Sequence, residues 1–337
     1  MQTELMILLI IMVIALVAAM VYMFYDWKVN YVDFRVQMKV GGWKKFAKAS
    51  AVTFVTLFFD PIGIGANGPT TAGWKFFKVC RDKQIPGTIQ TYSLIYTTAA
   101  TGIMVTSIDV DFSNLIGVII AAGVGAAVGG PLVSRLNLSK LRLYIGVCLI
   151  FVAIIIVLRT SGILGDTTGN TLTGVYGWKL AVMLIVAFIF GALMMIGVGI
   201  YAPMMCTVAL LGMSGGAAYP LMMGTCVLLV PIGSIVFIRE SIHAEIPAYD
   251  RKVTVAGNTF GFLGGMCGTW VILTIIDTLD VSILLYFIAC VIVVLSALMI
   301  YQGLKKQTDA LADAEDEEFT RLKAEWLEAH PEYADKA

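Results

Sequence analysis

The chain breaks its own apolar helices twice, and in the same way. Gly63-Ile64-Gly65-Ala66-Asn67-Gly68-Pro69 and Gly197-Val198-Gly199-Ile200-Tyr201-Ala202-Pro203 both read G-x-G-x-x-x-P, 134 residues apart, each inside sequence apolar enough for a bilayer. The same offset relates Pro86 to Pro220 and Thr91 to Thr225. In hydrocarbon an unpaired peptide group is costly, so a broken helix survives there only where it is buried in protein or lines a polar cavity. A break that recurs at one offset therefore points both to an internal repeat and to the place where a ligand sits.

Composition agrees with a membrane setting. Of 337 residues, 59% are hydrophobic and 14% charged, with a mean hydropathy of +0.87. A soluble domain carries roughly 25% charge. Apolar stretches of about 20 residues recur, each able to cross a hydrocarbon core of roughly 30 Å. The expected fold is an all-α polytopic membrane protein whose partner is the lipid bilayer. The net charge of zero gives no pointer to nucleic acid. Six cysteines without a CxxC pair read as packing residues. The two histidines, His243 and His330, are far apart and suggest no metal site. Neither a cofactor nor a metal is expected.

Candidate spans are 5–25, 88–107, 114–134, 141–158, 217–238, 254–275 and 281–303. Segments 50–77 and 180–212 each carry one glycine break. The first run lacks a basic leader and a small-residue cleavage site, so it reads as a retained helix. Lys and Arg gather on the cytoplasmic side of membrane proteins. Residues 26–49 hold Lys28, Arg35, Lys39, Lys44, Lys45 and Lys48, and residues 75–83 hold Lys75, Lys78, Arg81 and Lys83. Both flanks of 50–77 are thus basic, which a simple span cannot satisfy and a re-entrant hairpin can. Residues 51–59 rise about 13.5 Å as helix, roughly half the core.

Alternation then sends 88–107 outward, returns 114–134, sends 141–158 out, and makes 180–212 a hairpin entered from outside. Each half is a broken re-entrant hairpin plus three transmembrane helices. Because that number is odd, the halves form an inverted-topology repeat. The expected units are an N-terminal transmembrane helix (1–30), a first repeat (31–160), a second, inverted repeat (161–303) and an acidic cytoplasmic tail (304–337). The N-terminus then lies outside and the C-terminus in the cytoplasm.

Proline suits the first position of a helix, so each returning arm is expected to begin at Pro69 or Pro203. The amides of Thr70 and Thr71, and of Met204 and Met205, become first-turn donors, with Gly68 and Ala202 offering no side-chain cap. Such amides and the helix dipole together favour an anion. The expected site comprises Gly65, Asn67, Gly68, Thr70, Thr71 and Thr91 from the first half, and Gly199, Tyr201, Ala202, Met204, Met205 and Thr225 from the second. Around Thr91 lie further hydroxyls: Tyr92, Ser93, Tyr96, Thr97, Thr98 and Thr101. Asp60, whose repeat mate is Met194, is the acidic residue nearest mid-membrane, and intramembrane carboxylates are often proton carriers. A carboxylate tied to backbone at the break is its structural alternative.

The glycine breaks, with the proline and Gly-Thr that follow, resemble the sulfite exporter (TauE/SafE) family, also called the toluene-sulfonate uptake permeases. The second half carries the likeness best, in Gly197-Val198-Gly199, Pro203 and Tyr219-Pro220-Leu221-Met222-Met223-Gly224-Thr225. The first half has Asp60-Pro61-Ile62-Gly63, Ile85-Pro86 and Gln90-Thr91, with Gln90 in place of glycine. The resemblance spans about residues 50–300. It implies secondary transport of sulfite or an organosulfonate by alternating access. Coupling to a proton or to sodium is expected, with Asp60 the candidate for the proton. A passive anion channel and a small-carboxylate transporter are the alternatives, and a homodimer is kept open. No H-E-x-x-H or Walker A motif is present and no histidine falls inside an expected span, so neither an enzyme nor an ATP-driven pump is expected.

Overall fold

The computed structural model describes residues 2–81, 83–133, 172–195, 199–242, 247–276 and 312–336, together with Ala244 and isolated positions in 147–161 and 283–301. Expected spans 141–158 and 281–303, His243 and the Gly197-Val198 pair lie largely or wholly outside the described residues. Those described are helical, with no strand among them. Among the described residues, five helices are long and apolar enough to cross a membrane: Thr3–Val29, Gly42–Gly63, Phe112–Gly129, Ala218–Ile242 and Arg251–Ile275.

Helix α1 (Gln2–Val29) is apolar nearly throughout. Leu8, Met12, Ala19 and Met23, spaced at helical intervals, are buried, while Ile7, Ile10, Ile14, Val17 and Val21 are exposed. An exposed isoleucine face on so long a helix is what lipid accepts and water does not. A short amphipathic helix α2 (Tyr31–Gln37) follows. Next come α3 (Gly42–Phe59), a single π turn (Asp60–Ile64) and α4 (Asn67–Phe76).

Helices α3 and α4 run antiparallel. Lys48 Nζ donates to the Phe77 carbonyl at 3.5 Å, Gly73 packs on Val52, and Thr70 Oγ1 donates to Thr56 Oγ1 at 2.7 Å. The segment therefore leaves and returns at one place. Its outgoing arm begins at Gly42, earlier than the expected residue 50, because the lysines at its foot are accommodated by partners. Lys45, for example, is buried in an ion pair with Asp250 at 2.7 Å.

The chain continues in α5 (Ile85–Thr91), α6 (Leu94–Ser107) and α7 (Phe112–Val133). Expected span 88–107 is thus two helices, parted at Tyr92–Ser93 with no Gly or Pro to announce it. Helix α8 (Trp178–Met194) and α9 (Tyr201–Leu210) form the second hairpin, closed by Lys179 Nζ donating to the Leu211 carbonyl at 3.1 Å. Phe77 and Leu211, the two acceptors, are themselves 134 residues apart. Helix α8 is about 25 Å long, so the second hairpin has one long arm and one of about 15 Å. Helix α10 (Ala218–Ile242) contains Pro231. It is followed by α11 (Arg251–Ala256), a π turn (Gly257–Gly261) and α12 (Phe262–Ile276).

Glycines let the halves interlock. Gly264 and Gly268 on α12 face the carbonyls of Phe54 and Phe58 on α3, whereas Gly125 on α7 faces the carbonyl of Phe188 on α8. Phe54 and Phe188 are again 134 apart. Each hairpin's outgoing arm thus packs, backbone to backbone, on a helix of the other half. Without a hydrophobic drive between helices in lipid, such close approach is how membrane helices gain contact energy.

The molecule has two polar ends. At one, Arg251 donates to both oxygens of Asp26, from Nε at 2.9 Å and Nη2 at 3.0 Å, and Tyr249 donates its hydroxyl to Asp26 Oδ2 at 2.6 Å. Lys252 donates to the Val40 carbonyl at 2.9 Å, and Gln84 Nε2 to the Pro247 carbonyl at 3.1 Å. The tail helix α13 (Ala312–Ala329) docks here. Trp326 buries itself with Val32 and Val36, Lys323 pairs with Asp33 at 2.9 Å, and Glu318 accepts from the Gly41 amide at 3.2 Å.

At the other end, Asp111 N donates to Thr173 O, Val175 N to Asn114 Oδ1 and Ser214 N to Leu172 O. There the Asp111 carboxyl is held below its ordinary value. Desolvation pushes it up, but hydrogen bonds from Tyr176 and Asn114 outweigh that.

Candidate functional site

Both breaks open onto one cavity between the two ends. Fifteen described residues line it, and twelve of them fall into six pairs with a constant separation of 134. The pairs are Asp60 with Met194, Gly65 with Gly199, Ala66 with Ile200, Asn67 with Tyr201, Tyr92 with Cys226, and Tyr96 with Val230. The remaining three are Leu57, Ser93 and Thr97. The cavity volume is about 20 Å³, where one water needs roughly 10–15 Å³ on the same measure. This conformation is therefore close to shut.

The pairs match in place but not in chemistry. The first half supplies Asp60, Asn67, Tyr92 and Tyr96, with Ser93 and Thr97. The second answers with Met194, Tyr201, Cys226 and Val230. Cys226 Sγ lies 4.0 Å from Met194 Sδ, so one wall is hydroxyl and carboxyl and the facing wall is largely apolar and soft.

Asp60 begins the π turn that ends α3. Its Oδ1 accepts from the Ala66 amide at 2.5 Å and its Oδ2 from the Tyr96 hydroxyl at 2.9 Å. The chain can double back this tightly because Gly63 and Gly65 take φ of 99° and 72°, a region that costs other residues roughly 1–2 kcal/mol. Asp60 is the only charged side chain among the described lining residues, and it is 4% exposed. The structural alternative for Asp60, a carboxylate tied to backbone at the break, is thus present in the geometry, and the same carboxylate faces the cavity.

The helix starts differ from expectation. Helix α4 begins at Asn67 and α9 at Tyr201, two residues before each proline. Pro69 and Pro203 are thus the third residues of their helices. Proline is tolerated throughout the first turn, where an amide has no partner within the helix. The amides of Thr70 and Met204 are consequently taken, donating to Ala66 O at 2.8 Å and Ile200 O at 3.1 Å. Thr71 and Met205 stand one residue deeper in the same helices. The helix starts that reach the cavity are those of Asn67 and Tyr201.

Of the expected site residues, Asp60, Gly65, Asn67, Gly199 and Tyr201 meet at the cavity. Thr70 stands behind it, its hydroxyl 3.2 Å from that of Tyr92. Gly68, Thr71, Thr91, Ala202, Met204, Met205 and Thr225 are not among its described lining residues. The Thr71 hydroxyl donates back to Asn67 O at 2.8 Å, and the Met205 sulfur packs against Gly63. Thr91 turns toward α11, its hydroxyl 2.7 Å from that of Thr254, and Thr225 donates to Met222 O at 2.5 Å. Hydroxyls within helices often back-bond this way.

The repeat pair that does line the cavity is one residue further on, Tyr92 with Cys226. Cys226 had read as packing. Applying the offset to every polar residue of the cluster, and not only to identical pairs, would have found it. No protein-family model matches the chain, nor does any curated protein or solved structure.

Proposed function

We propose that the chain is a secondary transporter that moves a small oxyanion, sulfite or an organosulfonate, across the membrane by alternating access. The observation that carries this reading is the cavity lined by repeat mates. Two broken helices from two halves converge on it, and a site on a pseudo-symmetry axis is where inverted-repeat transporters hold their solute. On this reading the two hairpins are re-entrant and the halves have opposite orientation. The basic end carries Lys44, Lys45, Lys48, Lys75, Lys78, Arg239, Arg251 and Lys252, while the other end carries Lys179. Positive charge on the inner side then makes the first end cytoplasmic, together with the tail, and leaves the N-terminus outside.

Two helix starts at one small cavity favour negative charge. An ionised Asp60 opposes it. The conflict is resolved if Asp60 is protonated when the anion binds, which makes a proton the coupling ion and Asp60 its carrier. The nearly closed cavity speaks for an alternating carrier over a passive channel. A small carboxylate would meet the same donors, so sulfur enters only through the sequence resemblance.

The test is uptake of labelled sulfite into proteoliposomes with an imposed pH gradient, alongside a thermal-shift screen of sulfite, sulfonates and carboxylates. Concentrative, gradient-dependent uptake and a sulfite- or sulfonate-induced rise in Tm are expected. Uptake that only equilibrates would make it a channel. A shift with carboxylates alone would move the substrate class.

A further inference from the structure

We infer that Asn258 is a positioning residue of the cavity: its carboxamide replaces the backbone hydrogen bond missing between α5 and α6, and so sets where Tyr92 and Tyr96 stand. The inference rests on the transport reading only in naming what the cavity is for.

In an unbroken helix the amide of Ile95 would donate to the carbonyl of Thr91, four residues back. Instead, Ile95 N donates to Asn258 Oδ1 at 3.2 Å, and Asn258 Nδ2 donates to Thr91 O at 2.7 Å. A carboxamide is a peptide group on a side chain, with an acceptor and two donors. It is inserted into the ladder and meets both severed ends. Its second N–H goes to Thr254 O at 3.0 Å on its own helix, so its donors and its acceptor are all used. A side chain entering the i→i−4 ladder is one of the few causes of a sharp helix bend.

The bend falls at Tyr92–Ser93, both of which line the cavity, as do Tyr96 and Thr97 one turn later. Two neighbours complete the support. A Cβ at Gly257 would collide with the Cβ and carbonyl of Tyr92, and one at Gly265 with the ring of Tyr96. The helix carrying Asn258 thus holds the two cavity tyrosines of the first half through the absence of side chains at 257 and 265 and the presence of one at 258. Among its described residues the second half shows no such device. Its counterpart of α5–α6 is the continuous α10, and the residue 134 before Asn258 is Val124, which is 48% exposed.

The test uses the full-length protein with Cys80, Cys148, Cys206, Cys267 and Cys290 replaced by serine, leaving Cys226 as the cavity reporter. The rate of Cys226 modification by methyl methanethiosulfonate is read beside the apparent KM and Vmax for sulfite uptake. Asn258→Leu strands the Thr91 carbonyl and the partly buried Ile95 amide, and is expected to change the Cys226 rate and the KM by about tenfold. Gly257→Ala, which pushes Tyr92, should change both in the same sense.

Gly125→Ala, a clash with the Phe188 carbonyl between α7 and α8 at residues that do not line the cavity, is the control for lost stability. It should lower Tm while leaving the Cys226 rate at the parental value. Should Asn258→Leu not fold, Asn258→Asp takes its place, since it keeps the acceptor for Ile95 and loses the donor to Thr91. Parental Cys226 rates in the folded Asn258 variant and in Gly257→Ala would overturn the inference, and so would equal changes in Gly125→Ala. If the parent protein takes up no sulfite, it is the transport reading that fails, and the Cys226 rates still decide the role of Asn258.

Discussion

The two breaks are built at equivalent positions yet hold their shape by different means. At the first, Gly63 and Gly65 adopt positive φ, and the Asp60 carboxylate reaches over the turn to the Ala66 amide. At the second, Met194 stands where Asp60 does, and a Cβ built on Gly199 meets nothing within 4 Å. There the last carbonyl of α8 is satisfied from the other half, by Gln90 Nε2 donating to Met194 O at 2.9 Å. The first break is thus self-sufficient and charged. At its described residues the second is neutral, open around Gly199 and served by a neighbour. The two breaks thus share their spacing along the chain and differ in chemistry, with the carboxylate at the first.

The comparison can be broken most forcefully at Asp60. Asp60→Asn keeps an acceptor for the Ala66 amide and removes the titratable group. We expect coupled uptake to fall by roughly tenfold or more and its pH dependence to flatten. Met194→Leu, a volume-conserving change at the mate, should leave uptake within about twofold. Equal losses at both positions would mean that the carboxylate is only structural.

Alanine at one glycine of each break sharpens the contrast further. Gly63→Ala forces a side chain into φ of 99° and onto the Met205 sulfur, and should destabilise the protein by about 1–3 kcal/mol. Gly199→Ala should leave Tm nearly unchanged and yet weaken sulfite binding, because the added methyl occupies part of a cavity of about 20 Å³. Thermal unfolding and binding measured on the same samples separate the two effects. A drop in Tm for Gly199→Ala would show that the second break is as tightly constrained as the first.

A smaller difference is expected at the hairpin feet. Lys179 is part-buried on its carbonyl, whereas the Lys48 bond is exposed and longer. Lys179→Met should cost about 1 kcal/mol and Lys48→Met less than half of that, by chemical denaturation in detergent. The reverse order would make the first hairpin the one that depends on its clasp.

The smallest effect concerns the end of the molecule away from the tail. There Asp111 holds Tyr176 at 2.5 Å and Asn114 at 2.8 Å. Its carboxyl lies below the ordinary 3.8. A depressed folded value stabilises above the unfolded pKa, and that contribution is lost as pH falls through the folded one. Protection of the 172–177 amides from hydrogen exchange should therefore hold at neutral pH and decline only below pH ~4. The same decline in Asp111→Asn would remove the carboxylate from the account.

Much of this architecture was legible in the residues. The glycine breaks, the lysines flanking segment 50–77 and the constant offset led to two hairpins, and both close on themselves at Phe77 and Leu211. The starts of α7 and α10, at Phe112 and Ala218, lie within two residues of the expected 114 and 217. The positions that led astray were those where a side chain has two uses. Thr91 and Thr225 are repeat mates with hydroxyls, but both are spent within the protein. Pro69 and Pro203 signal a helix start without saying on which first-turn residue it begins, because any of the first residues tolerates a missing amide.

What the sequence alone determined is the all-helical character suited to a membrane and the constant spacing of the glycine motifs, since these follow from apolar length, from residues that cannot continue a helix, and from position along the chain. Which faces of those helices look inward was decided by tertiary structure. The parting of α5 and α6 depends on Asn258, 163 residues beyond Ile95. The clustering of Asp26 with Tyr249 and Arg251 joins sequence more than 220 residues apart. The pairing of Tyr92 with Cys226 across the cavity required both halves to be folded. A hydrogen bond or an ion pair formed across such distances leaves no local pattern to read, because each partner's choice of rotamer and helix phase is settled only when the other half arrives.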